Sequence, residues 1–175
     1  RGKHMNKITT SSAAAQLERM YDDLNNAFFE GELLPDVIIT LKCTKGAYGH
    51  FTTGQVWRVD ESTHKHEINI SSATLDRPIL QTAATLLHEM VHFYCHINNI
   101  RDTSNHGVYQ NHKYKEAALD HGLLVSYVNH YGWTNTQPSD VLRLLAVEKA
   151  WPQIKLVEDT RNYPAYPSST RKYIC

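Results

Sequence analysis

The sequence predicts an α+β fold: a small antiparallel sheet packed on one central helix, with additional helices beside it. Three patterns carry that expectation. Apolar residues recur at helical spacing near the N-terminus, short β-branched runs crowd residues 37–70, and residues 79–96 are apolar almost all round.

Taken in order, Thr10, Ser11 and Ser12 offer N-caps to a first helix in which Leu17, Met20, Tyr21, Leu24 and Phe28 share a face, closed by Gly31 and Pro35. Strands are expected at residues 37–41, 48–51, 56–59 and 67–70, with Gly46, Gly54 and the polar cluster 60–63 between them. Asp76 and Arg77-Pro78 open the central helix, since proline's fixed φ suits a first helical turn and its missing N–H is not needed there. A helix that is apolar on nearly every side runs through the middle of a domain. Residues 98–111 are polar and aperiodic, so they read as a loop. A third helix is expected over about 111–123 and a fourth over about 138–151, with Ser139 and Asp140 near its start. Residues 153–158 read as a last strand, and Pro164, Pro167 and Ser168-Ser169 as an irregular tail.

A chain of 175 residues, 41% of them hydrophobic, suits one domain with one core. Arg1 to His4, ahead of Met5, read as a vector-derived remnant, which leaves a domain over 5–167 and a tail over 168–175. The 18 basic and 18 acidic residues cancel, so no net field draws the whole chain to nucleic acid or an anionic membrane. Any DNA contact must come from a local patch or another segment. Cys43, Cys95 and Cys175 are odd in number and widely spaced, a poor disulfide framework that fits a reducing compartment. No run approaches the roughly 20 apolar residues that span a bilayer. The expectation is a soluble cytoplasmic monomer.

His88-Glu89-Met90-Val91-His92 fits the pattern H-E-x-x-H and lies within the central helix, the context that gives the pattern meaning. Helical residues four apart are offset by only about 40°, so the two imidazoles project one turn apart on one side and can share an ion. Zn2+ accepts neutral imidazole readily and leaves one position open for water when three protein ligands hold it. The adjacent Glu89 carboxylate is then placed to take a proton from that water as it attacks a peptide carbonyl, the work of a general base. The bland alternative is a pair of hydrogen-bonded core histidines, but two imidazoles and an acid are costly to bury in an apolar helix without a metal.

The third ligand is open among His96, His106, Gln110, His112 and His121. His96 stands one turn beyond His92, about 5.4 Å along the axis, and reads as a surface residue. His121, late in the third helix, reads as part of a solvated face.

The stretch from Thr85 to Tyr94, the preceding Glu67-Ile68-Asn69-Ile70-Ser71 and the later Tyr131-Gly132-Trp133-Thr134 resemble the SprT-like domain family, particularly its bacterial and mobile-element members. The likeness runs from about Ala15 to the C-terminus. It implies a zincin-like fold, a zinc metallopeptidase activity, and substrates that are proteins attached to or working on DNA. In that family the third ligand is a histidine opening the next helix, in a Tyr-His-Asn or His-Gly pattern, with an aromatic residue four positions later. Tyr109-Gln110-Asn111-His112-Lys113-Tyr114 matches with Gln110 in the histidine's place and Tyr114 as the aromatic. Glutamine oxygen is a weak zinc ligand. His106-Gly107 resembles the His-Gly pair without the later aromatic, and His112 is turned about 200° from the Gln110 direction. His106 and His112 therefore lead as third ligand, with Gln110 or water behind them.

The same likeness marks His50 and Phe51, with Trp57, as a strand flanking the cleft, where an extended substrate pairs through its backbone. Ordinary sheet packing is the competing role for the two aromatics, and core packing for Tyr94, Tyr109 and Tyr114. Residues 168–175 resemble the lead into a Cys-rich zinc ribbon that stops at its first cysteine, Cys175, and nucleic acid could be engaged through such a segment, with Arg171 and Lys172 nearby. Two other functions stay open: a catalytically silent metal- or protein-binding module, and a zinc hydrolase acting on something other than peptides.

Overall fold

The computed structural model of the chain describes residues 7–33, 35–44 and 46–162. The expected remnant at 1–4 and the expected tail at 168–175 lie outside them.

Helix α1 (Thr10–Phe28) buries Leu17, Met20, Tyr21 and Leu24, the stripe that its spacing predicts. Its cap is Thr9, one residue earlier than expected. Ser12 N–H donates to Thr9 Oγ1 at 3.1 Å and Thr9 N–H to Ser12 Oγ at 3.0 Å, a reciprocal capping box. At the far end Asn25 receives Leu33 N–H and donates to Leu33 O, which folds the following turn back on the helix.

The first sheet has the order β1–β3–β2, with β1 at Val37–Thr40, β2 at Gly49–Arg58 and β3 at His64–Ile70. It is mixed and not wholly antiparallel: β2 pairs antiparallel with β3, whereas β1 runs parallel to it. The two runs expected at 48–51 and 56–59 are one continuous strand with a register shift between Thr52 and Trp57. Central β3 is buried from His66 to Ile70. Within it Asn69 is fully buried and uses its whole amide: Oδ1 accepts from Lys42 N–H and Thr40 Oγ1, and Nδ2 donates to Lys42 O and Thr44 Oγ1.

Helix α2 (Ile79–Ile97) touches β2 and β3 of this sheet, α1, α3 (His112–Asp120) and α4 (Asp140–Lys149). Leu86, Leu87, Met90, Val91 and Phe93 along it are all but inaccessible, as its composition predicts. No side chain of its own first turn caps it. Gln153 does so instead, accepting Ile79 N–H at 2.9 Å and donating to Arg77 O at 2.7 Å. The segment expected to be a last strand is thus an irregular brace, with Trp151 and Ile154 in the core.

A second sheet occupies the stretch that the sequence predicts as a loop and the residues between the third and fourth expected helices. Its order is β4–β5–β7–β6, with β4 at Thr103–Ser104, β5 at Tyr109–Gln110, β6 at Leu123–Val128 and β7 at Gly132–Pro138. Strands β6 and β7 form an antiparallel hairpin that also touches α2. Helices α3 and α4 are shorter than expected and capped by Asn111 and Ser139. No helix of the described residues is long and apolar enough to cross a membrane.

Candidate metal centre

One turn of α2 presents His88 and His92 side by side, with Glu89 between them in sequence. Their Nε2 atoms are 3.3 Å apart. Two nitrogens each about 2.0–2.1 Å from one tetrahedral ion stand about 3.3–3.4 Å apart, so the pair already has the separation such an ion requires. Among the described residues, His88, Glu89 and His92 are the one group of three whose ligand atoms lie within 4.8 Å of one another.

Both rings are held by their other nitrogen. His92 Nδ1 lies 2.5 Å from Asp102 Oδ2. A carboxylate only accepts, so that nitrogen carries a proton, and Nε2 is the atom turned toward His88. His88 Nδ1 lies 3.0 Å from Thr136 Oγ1 on β7. With a proton there, His88 Nε2 is the atom that converges on His92 Nε2. The His88 imidazole is held neutral, its pKa well below the ordinary value, first by burial and then by the neighbouring His92. Tyr114 of α3 backs both rings, stacked on His92 at 4.5 Å and tilted against His88 at 5.0 Å. Two rings each held through Nδ1, with their Nε2 atoms convergent, fit a divalent ion.

Glu89 is 7% exposed, and burial lifts its carboxyl pKa to about 7, partly opposed by His92 and the Phe51 backbone N–H. Strand β2 reaches it closely because residue 49 is glycine. A Cβ there would stand 2.8 Å from Asn69 O and 3.4 Å from Glu89 Cγ. The group opens into a cleft of about 890 Å³ whose walls include Gly49, His50 and Phe51 of β2, Asp102 just ahead of β4, and Gln110 and Thr136 of the second sheet.

The remaining expected residues are placed as follows. His50 faces Glu67 at 3.5 Å, and the Phe51 ring packs 5.5 Å from Phe93 of α2, so its side chain joins sheet to helix while its backbone N–H faces Glu89. His106 is exposed, with φ of +54°, in the turn between β4 and β5. His112 is exposed with its ring 5.4 Å from Trp133. Neither contributes a ligand atom to the group. His96 is exposed, as read. His121 departs from its expected solvated face: it stacks on Phe29 at 4.5 Å and Nδ1 contacts Ala117 O at 2.6 Å. Sequence reasoning missed Asp102 and Thr136 altogether, since a single acid in a polar stretch and a threonine in an unassigned one carry no spacing signal.

A family model described as the SprT-like family matches residues 17–119, more than half of the chain. No curated protein matches it.

Proposed function

This chain belongs to the SprT-like family, and from that premise we propose that it is a zinc-dependent metallopeptidase with a zincin-like active helix. The observation that carries the reading is the pair of Nε2 atoms 3.3 Å apart beside a buried carboxyl, with both Nδ1 atoms engaged elsewhere. A zinc ion held by His88 and His92 would supply Lewis acidity, acidifying a water and polarising a carbonyl. Glu89 takes the proton of the attacking water and returns it to the leaving amine, so that one peptide bond and one water become a carboxylate and an amine. Strand β2 is the outer strand of its sheet, and an extended segment of substrate pairs along it beside His50 and Phe51. We carry over from the family likeness a substrate class of proteins bound to or acting on DNA.

The test is Glu89→Gln. Zinc-loaded wild type should cleave an unfolded protein, and the variant should lose about 10²–10⁴-fold in turnover while retaining its zinc. A second reading, a silent metal-binding module, draws support from the absence of a third histidine in the group. It prevails if wild type and Glu89→Gln turn over substrate equally.

A further inference from the structure

The geometry points to Gln110 as the third protein ligand, its carboxamide oxygen completing a His–His–Gln set for a divalent cation. This rests on the reading of His88 and His92 as a metal pair.

Gln110 Oε1 is buried and has no hydrogen-bond partner among the described residues. A buried acceptor left so is unfavourable, and a cation in contact would offset that. The residue lines the same cleft as both imidazoles. Its backbone is fixed: N–H donates to Tyr131 O at 3.0 Å, and Gln110 pairs with Thr103 on one side and Gly132 on the other. Gly132 has φ of +79°, and a Cβ there would fall 2.1 Å from Gln110 O, so only glycine lets β7 come this close. Alternation along β5 sends Tyr109 to the opposite face. Four residues on, Tyr114 plates the two rings, tying the end of β5 to the histidine face of α2.

The side chains nearest the two imidazoles, and the other histidines around the cleft, have partners. Asp102 holds His92, Thr136 holds His88, and His50 faces Glu67. His96 points its ring at His66, with centroids 5.1 Å apart. Gln110 remains. All three ligands are neutral, so a bound ion keeps its full charge, but an amide oxygen is a poorer zinc donor than imidazole and leaves the affinity below that of a three-histidine site.

The full chain titrated with cobalt(II) chloride tests this, because cobalt absorption reports ligand type as well as occupancy. Gln110→Leu should weaken cobalt binding at least about tenfold. Gln110→His should tighten it by a similar factor and shift the visible bands to shorter wavelength, since imidazole is the stronger-field ligand. X-ray absorption on that variant should count three imidazoles where wild type has two, which keeps the inference testable if Gln110→Leu folds poorly. Affinity and spectrum unchanged in both variants would overturn it, while loss of cobalt in His88→Ala would show that the underlying metal pair stands. Binding indifferent to His88→Ala would remove the pair and the inference together.

Discussion

The two sheets stand on opposite sides of a division of labour. In the first, β3 is buried from His66 to Ile70, and Asn69 satisfies every donor and acceptor of its amide. The second has two strands of only two residues, and left-handed backbone at Asn105, His106 and His130. Yet among the described residues the well-packed sheet supplies no polar side-chain contact to the imidazoles, whereas the sparse one and the residue leading into it supply both: Asp102 precedes β4 and Thr136 lies in β7. Secure burial makes the platform, whereas aim comes from the side chains that reach the platform from a less regular region.

That division can be broken by experiment. The largest effect on folding should come from Asn69→Leu, which orphans several buried backbone and hydroxyl groups and should cost on the order of 3–5 kcal/mol in urea unfolding. The metal affinity of the folded fraction should stay within about twofold of wild type, since nothing that touches the imidazoles changes. Next comes Asp102→Ala, which removes the acceptor that fixes the His92 tautomer and should weaken zinc or cobalt binding about 10–100-fold. Asp102→Asn, which keeps an acceptor oxygen, should recover most of the loss, a rescue that a merely structural role would not require. The smallest effect should be that of Thr136→Val, near the lower, roughly tenfold end of that range, because the hydroxyl is a neutral partner. Should Asn69→Leu loosen the metal more than Asp102→Ala does, the separation of platform from aim fails.

How much of this was legible in the sequence follows the same line. Helix α2 and its motif could be read because the chemistry is local: His88, Glu89 and His92 are set by one helical turn, and the apolar flanks mark burial. The parallel pairing of β1 could not, since strand direction depends on where the chain crosses and not on its composition. Strands as short as Thr103–Ser104 and Tyr109–Gln110 offer no alternation to detect. Strand β6 did carry a signal, Leu124, Val125, Tyr127 and Val128 before a turn at Gly132, that went unassigned beside the end of the third helix. Helical geometry could not relate His112 to Gln110, because α3 starts at His112 while Gln110 ends β5; the His112 ring lies against Trp133. What geometry along the chain could not reveal was that Gln110 ends in the cleft with a bare oxygen.

The base of the β4–β5 hairpin is latched: Asn111 N–H donates to Asp102 O at 2.9 Å, its Nδ2 to Arg101 O at 2.8 Å, and its Oδ1 caps α3. Everything between those bonds hangs from a closed neck. Residues could be added or removed at the tip, around Asn105 and Gly107, without re-aiming what the neck holds. Counting positions from His92 is therefore a poor ruler for locating the next donor in this protein, and aligning relatives on the Asn111 latch should serve better.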